Sequence, residues 1–210
     1  MVQPYREVHA KRFDISLEFL IANDVLKDGI SILNLGGASV FKSMIRDKFD
    51  VIFNETSCDL RYDIPDDNEY DLILCMEVIE HIKDQDSKDV KVLGRYCGTG
   101  VKNLITESKR LLRDGGFFFL TTPHLFCYKT LHNWLTKKKS LMTWEGHPRE
   151  LPPEYIKWIL SAHFDEITEQ YFNCWGDHGL PEGFTEEMAS MLQAYDLSNR
   201  VEDNVFFLCK

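Results

Sequence analysis

The chain has no C-x-x-C pair and no tight grouping of cysteine with histidine: Cys58, Cys75, Cys97, Cys127, Cys174 and Cys209 are scattered along it. That spacing supports neither a structural zinc site nor a disulfide framework, so reduced thiols in a cytosol are expected. Long hydrophobic runs are missing too. The longest are short stretches such as Phe117-Phe118-Phe119-Leu120, and the opening MVQPYREVHAKRFD is charged where a signal peptide would be apolar. The expectation is a cytoplasmic protein with no membrane span. Basic residues are in deficit, with 24 Lys and Arg against 34 Asp and Glu and a net charge of -10. No global field therefore draws nucleic acid or anionic lipid. There is also no G-x-x-x-x-G-K-[ST] loop, which sets aside P-loop phosphate chemistry.

What is present is apolar material, 44% of 210 residues, enough to bury one sizeable core and short for two. A single domain over 1–210 is expected, with a helical cap at 1–29 and an irregular substrate-side lid at 124–150. Short β-branched and aromatic runs alternate with stretches of helical period, the pattern of βαβ units. Ser31-Ile32-Leu33-Asn34-Leu35 reads as a buried strand ended by Gly36-Gly37, and Val40, Phe41, Met44 and Ile45 follow at helical spacing. Strands are expected at Asp50 to Phe53, Asp59 to Asp63, Tyr70 to Cys75, Phe117 to Thr121 and Asn204 to Cys209. Helices are expected over 101–112, from Pro152-Pro153 onward, and at about 185–195. The fold class is thus α/β, a Rossmann-like, doubly wound and mostly parallel sheet with helices on both faces.

In such sheets ligands sit beyond the carboxyl ends of the strands, where a glycine turn lets backbone approach and an acid ending the second strand accepts ribose hydroxyls. Gly36 and Glu55 stand in those relative positions, nineteen residues apart, close to the spacing of about 20 expected of that acid.

Four segments in order, ILNLGG, VIFNET, EYDLILCMEVIEHI and KRLLRDGGFFFLTTP, resemble the class I S-adenosylmethionine-dependent methyltransferases, in particular the group whose fourth strand runs into E-V-x-E-H. The resemblance covers roughly residues 30–165, and His147-Pro148-Arg149-Glu150 matches a later H-x-R-E of similar proteins. It implies a seven-stranded sheet with an antiparallel C-terminal strand and S-adenosylmethionine as cofactor. It further implies that Asn34, Gly36 and Gly37 line the methionine portion, that Glu55 holds the ribose, that Asp63 meets the adenine amino group, and that Met76 and Glu77 flank the cofactor. The family turn reads D/E-x-G-x-G-x-G, whereas this chain has Asn34, Ala38 and Val40 at three of those places. Ala38 and Val40 also obstruct a dinucleotide pyrophosphate, which places NAD well behind the methyl donor.

Methyl transfer from a sulfonium needs near-attack positioning and one base. His81, His124 and His147 are the candidate bases. Glu77, Glu80 and His81 stand at i, i+3 and i+4, one face of a helix, and with His147 they resemble the Mg²⁺-binding set of metal-dependent small-RNA 2′-O-methyltransferases. Aromatic residues Phe126, Tyr128, Trp134 and Trp144 with Lys129 and Lys137-Lys138-Lys139 suit a sugar or nucleotide ring. Trp175, Asp177 and His178 form a second irregular loop able to close on the same pocket. The leading reading is O-methylation of a small molecule or of a sugar-nucleotide or glycan acceptor. Its alternatives are a metal-dependent nucleic-acid 2′-O-methyltransferase and a methyltransferase fold without turnover serving as a partner protein.

Overall fold

The computed structural model describes residues 5–37, 39–89, 91, 98–127, 151–174 and 202–210. A six-stranded sheet runs in the order β2-β1-β3-β4-β6-β5. Its strands are β1 Ser31–Asn34, β2 Ile52–Glu55, β3 Tyr70–Met76, β4 Leu112–Pro123, β5 Ile167–Phe172 and β6 Asn204–Cys209. The first four are parallel; β6 runs antiparallel to both β4 and β5. Helices α1 Tyr5–Ala22, α2 Ser39–Arg46, α3 Thr99–Leu111 and α4 Pro153–Leu160 complete the regular elements, with a 3-10 turn at Ile79–His81.

Two helical layers follow from the period-2 alternation of central strands that are buried on both faces. Leu33, Ile73, Cys75, Phe118, Leu120 and Phe207 face one core, shared with Leu104 and Ile105 of α3 and with Ile156 and Leu160 of α4. Their neighbours Ile32, Leu72, Leu74, Phe119, Phe206 and Leu208 face the other, filled by Phe13, Leu17 and Leu20 of α1 and by Phe41 and Ile45 of α2. Phe19 clamps that second face, stacking on Phe119 at 5.6 Å between ring centroids and meeting Phe206 edge-on at 5.8 Å.

Three expectations are corrected. The segment 59–63 is a loop, and the described residues form six strands. Its residues satisfy one another locally, since the Asp59 carboxylate accepts from the backbone N–H and from the guanidinium of Arg61, an arrangement that competes with a strand ladder. The strand expected from Phe117 begins at Leu112, directly after the helix, which ends at Leu111. Leu112 already pairs with Tyr70, Arg113 to Gly116 loop out, and the ladder resumes at Phe117 opposite Leu72. The second strand occupies 52–55 and not 50–53, which makes Glu55 its last residue. The helix expected at 185–195 lies outside the described residues.

Candidate active site

The chain goes from β1 through α2 to β2 on one side, then places β3 on the other side of β1. The crevice at the carboxyl ends of β1 and β3 is thus the topological switch point at which doubly wound sheets hold their ligands. Asn34 ends β1 directly opposite Glu55 of β2, and Met76 ends β3 opposite Thr121 of β4. Asn34, Gly36, Glu55 and Met76 are therefore brought to one edge by the register.

Asn34 is buried, and its Nδ2 donates to the Gly36 carbonyl, fixing the turn that follows the strand. Its Oδ1 is buried with no hydrogen-bond partner among the described residues, an acceptor whose burial is costly unless a ligand or water donates to it. Gly36 and Gly37 differ sharply. A Cβ on Gly36 would stand 2.5 Å from Val78 Cγ2, so this glycine is required by close packing against the turn after β3, whereas a Cβ on Gly37 meets nothing within 4 Å. Val40, a departure from the family turn, sits in the first turn of α2 and packs against the apolar core. Ala38 lies outside the described residues.

Glu55 is half-exposed and paired with Lys42 Nζ at 3.1 Å, while the same ammonium lies 5.4 Å from the Phe53 ring centroid. Asp63 is exposed in the loop between β2 and β3. The orphaned Asn34 acceptor, the open space over Gly37 and the carboxylate at the end of β2 fit the ammonium, backbone and ribose of an S-adenosyl cofactor.

Glu77 adopts a left-handed backbone, φ 53°, a conformation that costs a residue with a Cβ roughly 1–2 kcal/mol. Three protein donors hold its carboxylate: Arg12 Nη1 at 3.1 Å on Oε2, with Thr121 Oγ1 at 2.9 Å and Asn204 Nδ2 at 3.2 Å on Oε1. Glu80 is fully buried and accepts from Thr122 Oγ1 at 3.0 Å, while His81 is exposed. The expected helical face across 77–81 is therefore absent. The left-handed residue and the 3-10 turn send Glu77 toward a cation and Glu80 toward β4. Among the described residues no group of three His, Cys, Asp or Glu side chains lies together to hold a metal. His147, the fourth expected ligand and a candidate base, lies outside the described residues. So do the aromatic and lysine residues expected from Tyr128 to Trp144, and Trp175, Asp177 and His178.

His124 follows β4 immediately and is buried at 4% exposure. Its backbone N–H donates to the Asp203 carbonyl at 2.9 Å, and its Nδ1 lies 3.0 Å from the Glu202 carbonyl. A carbonyl only accepts, so Nδ1 carries the hydrogen in this contact. The ring packs on Tyr171 at 4.9 Å. Burial pushes the Cys75 thiol well up, with the charges of Glu80 and Glu77 adding to it, and raises Cys209 to about 12. Neither is a nucleophile at neutral pH.

Sequence reasoning passed over Arg12, Thr121 and Asn204. The available signal for Arg12 was its position on the buried face of α1, in helical register with Ser16 and Leu20.

A mostly parallel sheet between two helical layers, with polar residues at its switch point, has the ligand-binding edge of a doubly wound fold. Comparison with known proteins makes it specific. The profile of the methyltransferase domain family matches residues 9–163, and the chain belongs to that family, the class I S-adenosylmethionine-dependent methyltransferases. Among solved structures, a SAM-dependent methyltransferase from Archaeoglobus fulgidus superposes with a TM-score of 0.61 at 14% identity, over 98% of this chain and 97% of its own. The N-methyltransferase NodS from Bradyrhizobium japonicum WM9, in complex with S-adenosyl-L-homocysteine, gives 0.55 at 13% identity over 100% and 92%. A complex of the Haloferax volcanii Trm112 methyltransferase activator with a methyltransferase gives 0.54 at 14% over 100% and 98%. No curated protein matches the chain. No described helix is long and apolar enough to cross a membrane.

Proposed function

We propose that the protein transfers a methyl group from S-adenosylmethionine to an oxygen of a small molecule or sugar-containing acceptor, with His124 as the base. The observation that carries this reading is the position of His124 at the end of β4. A buried imidazole anchored through Nδ1 on the Glu202 carbonyl stands immediately after β4 at the carboxyl edge of the sheet, where an acceptor hydroxyl must lose its proton. The cofactor supplies an electrophilic methyl group when bound. Around it Asn34, Gly36 and Gly37 receive the methionine portion, Glu55 accepts from the ribose hydroxyls, Asp63 meets the adenine amino group, and Met76 with the backbone of Glu77 closes the crevice. The net charge of -10 favours a small acceptor over nucleic acid, whose phosphates demand clustered Lys and Arg.

The test has two stages. Calorimetric titration with S-adenosyl-L-homocysteine reads donor binding without knowledge of the acceptor, and micromolar affinity is expected. An acceptor screen beginning with sugar nucleotides then follows methyl transfer from labelled S-adenosylmethionine. On the acceptor found, His124→Gln is expected to lower kcat by about 100-fold or more with donor affinity intact. A variant of undiminished kcat removes the base assignment.

A further inference from the structure

One buried ion pair crosses the molecule from its first helix to the edge just described, and neither the sheet nor the chemistry of transfer requires it. Arg12 of α1, 3% exposed, reaches Glu77 in the turn that ends β3. The pair is expensive, because two charges are taken out of water and are stable only as partners. It also sits on a residue held at φ 53°, a conformation that persists only where the surroundings over-determine it. Those surroundings are Arg12, Thr121 and Asn204, together with the Glu77 N–H, which donates to the Thr121 carbonyl at 2.9 Å. The turn so fixed is the surface on which the glycine turn rests. A Cβ at Gly36 would stand 2.5 Å from Val78 Cγ2 and 3.6 Å from the Met76 carbonyl, so residues 76–78 pack closely against Gly36.

We propose that Arg12 is a positioning residue for the donor site. It holds Glu77 in the left-handed turn, the turn holds Gly36, and the cradle for the methionine portion therefore depends on a residue in α1 that does not touch the donor. Glu77 serves in this arrangement through its backbone, its carboxylate being committed to protein donors. The proposal rests on the assignment of the donor to the β1/β3 edge.

The experiment separates positioning from simple stabilisation. Arg12→Gln leaves a buried carboxylate without its cation and is expected to lose both stability and binding. Arg12→Gln combined with Glu77→Gln removes both charges and is expected to recover most of the stability, while affinity for S-adenosyl-L-homocysteine stays about tenfold or more below wild type. Arg12→Lys keeps the charge and is expected to keep affinity within about threefold. A purely structural role predicts instead that affinity returns with stability in the double variant, and that result overturns the proposal. Hydrogen exchange on the unmodified protein gives a second reading independent of variant folding. Saturating S-adenosyl-L-homocysteine is expected to slow amides of residues 9–16 together with those of 34–37 and 76–78; slowing confined to the last two also overturns it. Glu55→Ala serves as the control for the site itself. If it weakens binding while the Arg12 variants do not, positioning fails alone; if it too leaves affinity unchanged, the donor assignment fails.

Discussion

Adjacent glycines in one turn carry different obligations, and substitution separates them. Gly36 is closed in by Val78, whose β-branched side chain has little rotamer freedom to yield. Gly36→Ala is expected to destabilise the protein by about 1–3 kcal/mol, the usual cost of overpacking, read as a lower urea midpoint. Gly37→Ala has room for its methyl and should leave that midpoint where it was. Any loss of S-adenosyl-L-homocysteine affinity in Gly37→Ala then reports contact with the ligand. Glu55 behaves in the opposite way to Gly36. Its pairing with Lys42 is partly exposed and contributes only about 0–1 kcal/mol to folding. Glu55→Ala should therefore melt close to wild type while weakening donor binding by about 1.5–3 kcal/mol, the range for charge-assisted hydrogen bonds, as calorimetry will show. The places of these residues in the sheet were legible before the structure because a glycine turn and a strand-ending acid have fixed positions in a doubly wound fold. The reason for Gly36 was not legible, since its neighbour Val78 comes from another strand's end.

At the scale of elements, β1, β3 and β6 were readable from short apolar stretches such as Ile32-Leu33, Leu72 to Met76 and Val205 to Cys209, and all three are buried along nearly their whole length. The segment 59–63 has the polar-apolar alternation of a strand but places Asp59 two residues before Arg61, and the Asp59 side chain captures the backbone it would have to release. The 77–81 segment misled for a related reason. A period of 3.6 puts Glu77, Glu80 and His81 on one face only if the backbone is helical from its first residue, and Glu77 is left-handed. Helix α1 adds a property that periodicity does not show. Burial, with help from the charge of Arg12, lowers the imidazole of His9 to about 4 from an ordinary value of 6.5. Between those two pH values the unfolded chain binds a proton that the native helix refuses, so stability is full above pH 6.5 and falls as pH drops toward 4. Urea midpoints measured across that window should decline in the wild type and decline less in His9→Gln. Below it, other groups take over. Glu107 is held low by hydrogen bonds from Arg110 and the Ile64 N–H. Asp71 is held low by Ser31 and Arg113 against the opposing effect of burial. Both lose their stabilising charge as pH falls below the ordinary carboxylate range near 4.

For the molecule as a whole, the order of strands determines more of the site than any local motif. Because β1 lies between β2 and β3, residues far apart in sequence share one edge. The hydrogen bond from Asn204 to Glu77 spans 127 residues, a separation no sequence pattern reports. The same edge carries a buried acceptor at Asn34 with no partner among the described residues and a left-handed carboxylate residue at Glu77, both of which cost the folded chain stability. A site built in this way should be tightened by what fills it. A ligand that binds only the native state adds about 2.7 kcal/mol when present at one hundred times its dissociation constant. For a domain of this length each kcal/mol raises the melting temperature by about 2–4 °C. S-adenosyl-L-homocysteine at that excess should thus raise the melting temperature by roughly 5–10 °C, and Glu55→Ala at the same concentration should show less than half of that rise. Equal rises in the two proteins would place the ribose away from β2 and require the donor to lie elsewhere along the sheet edge.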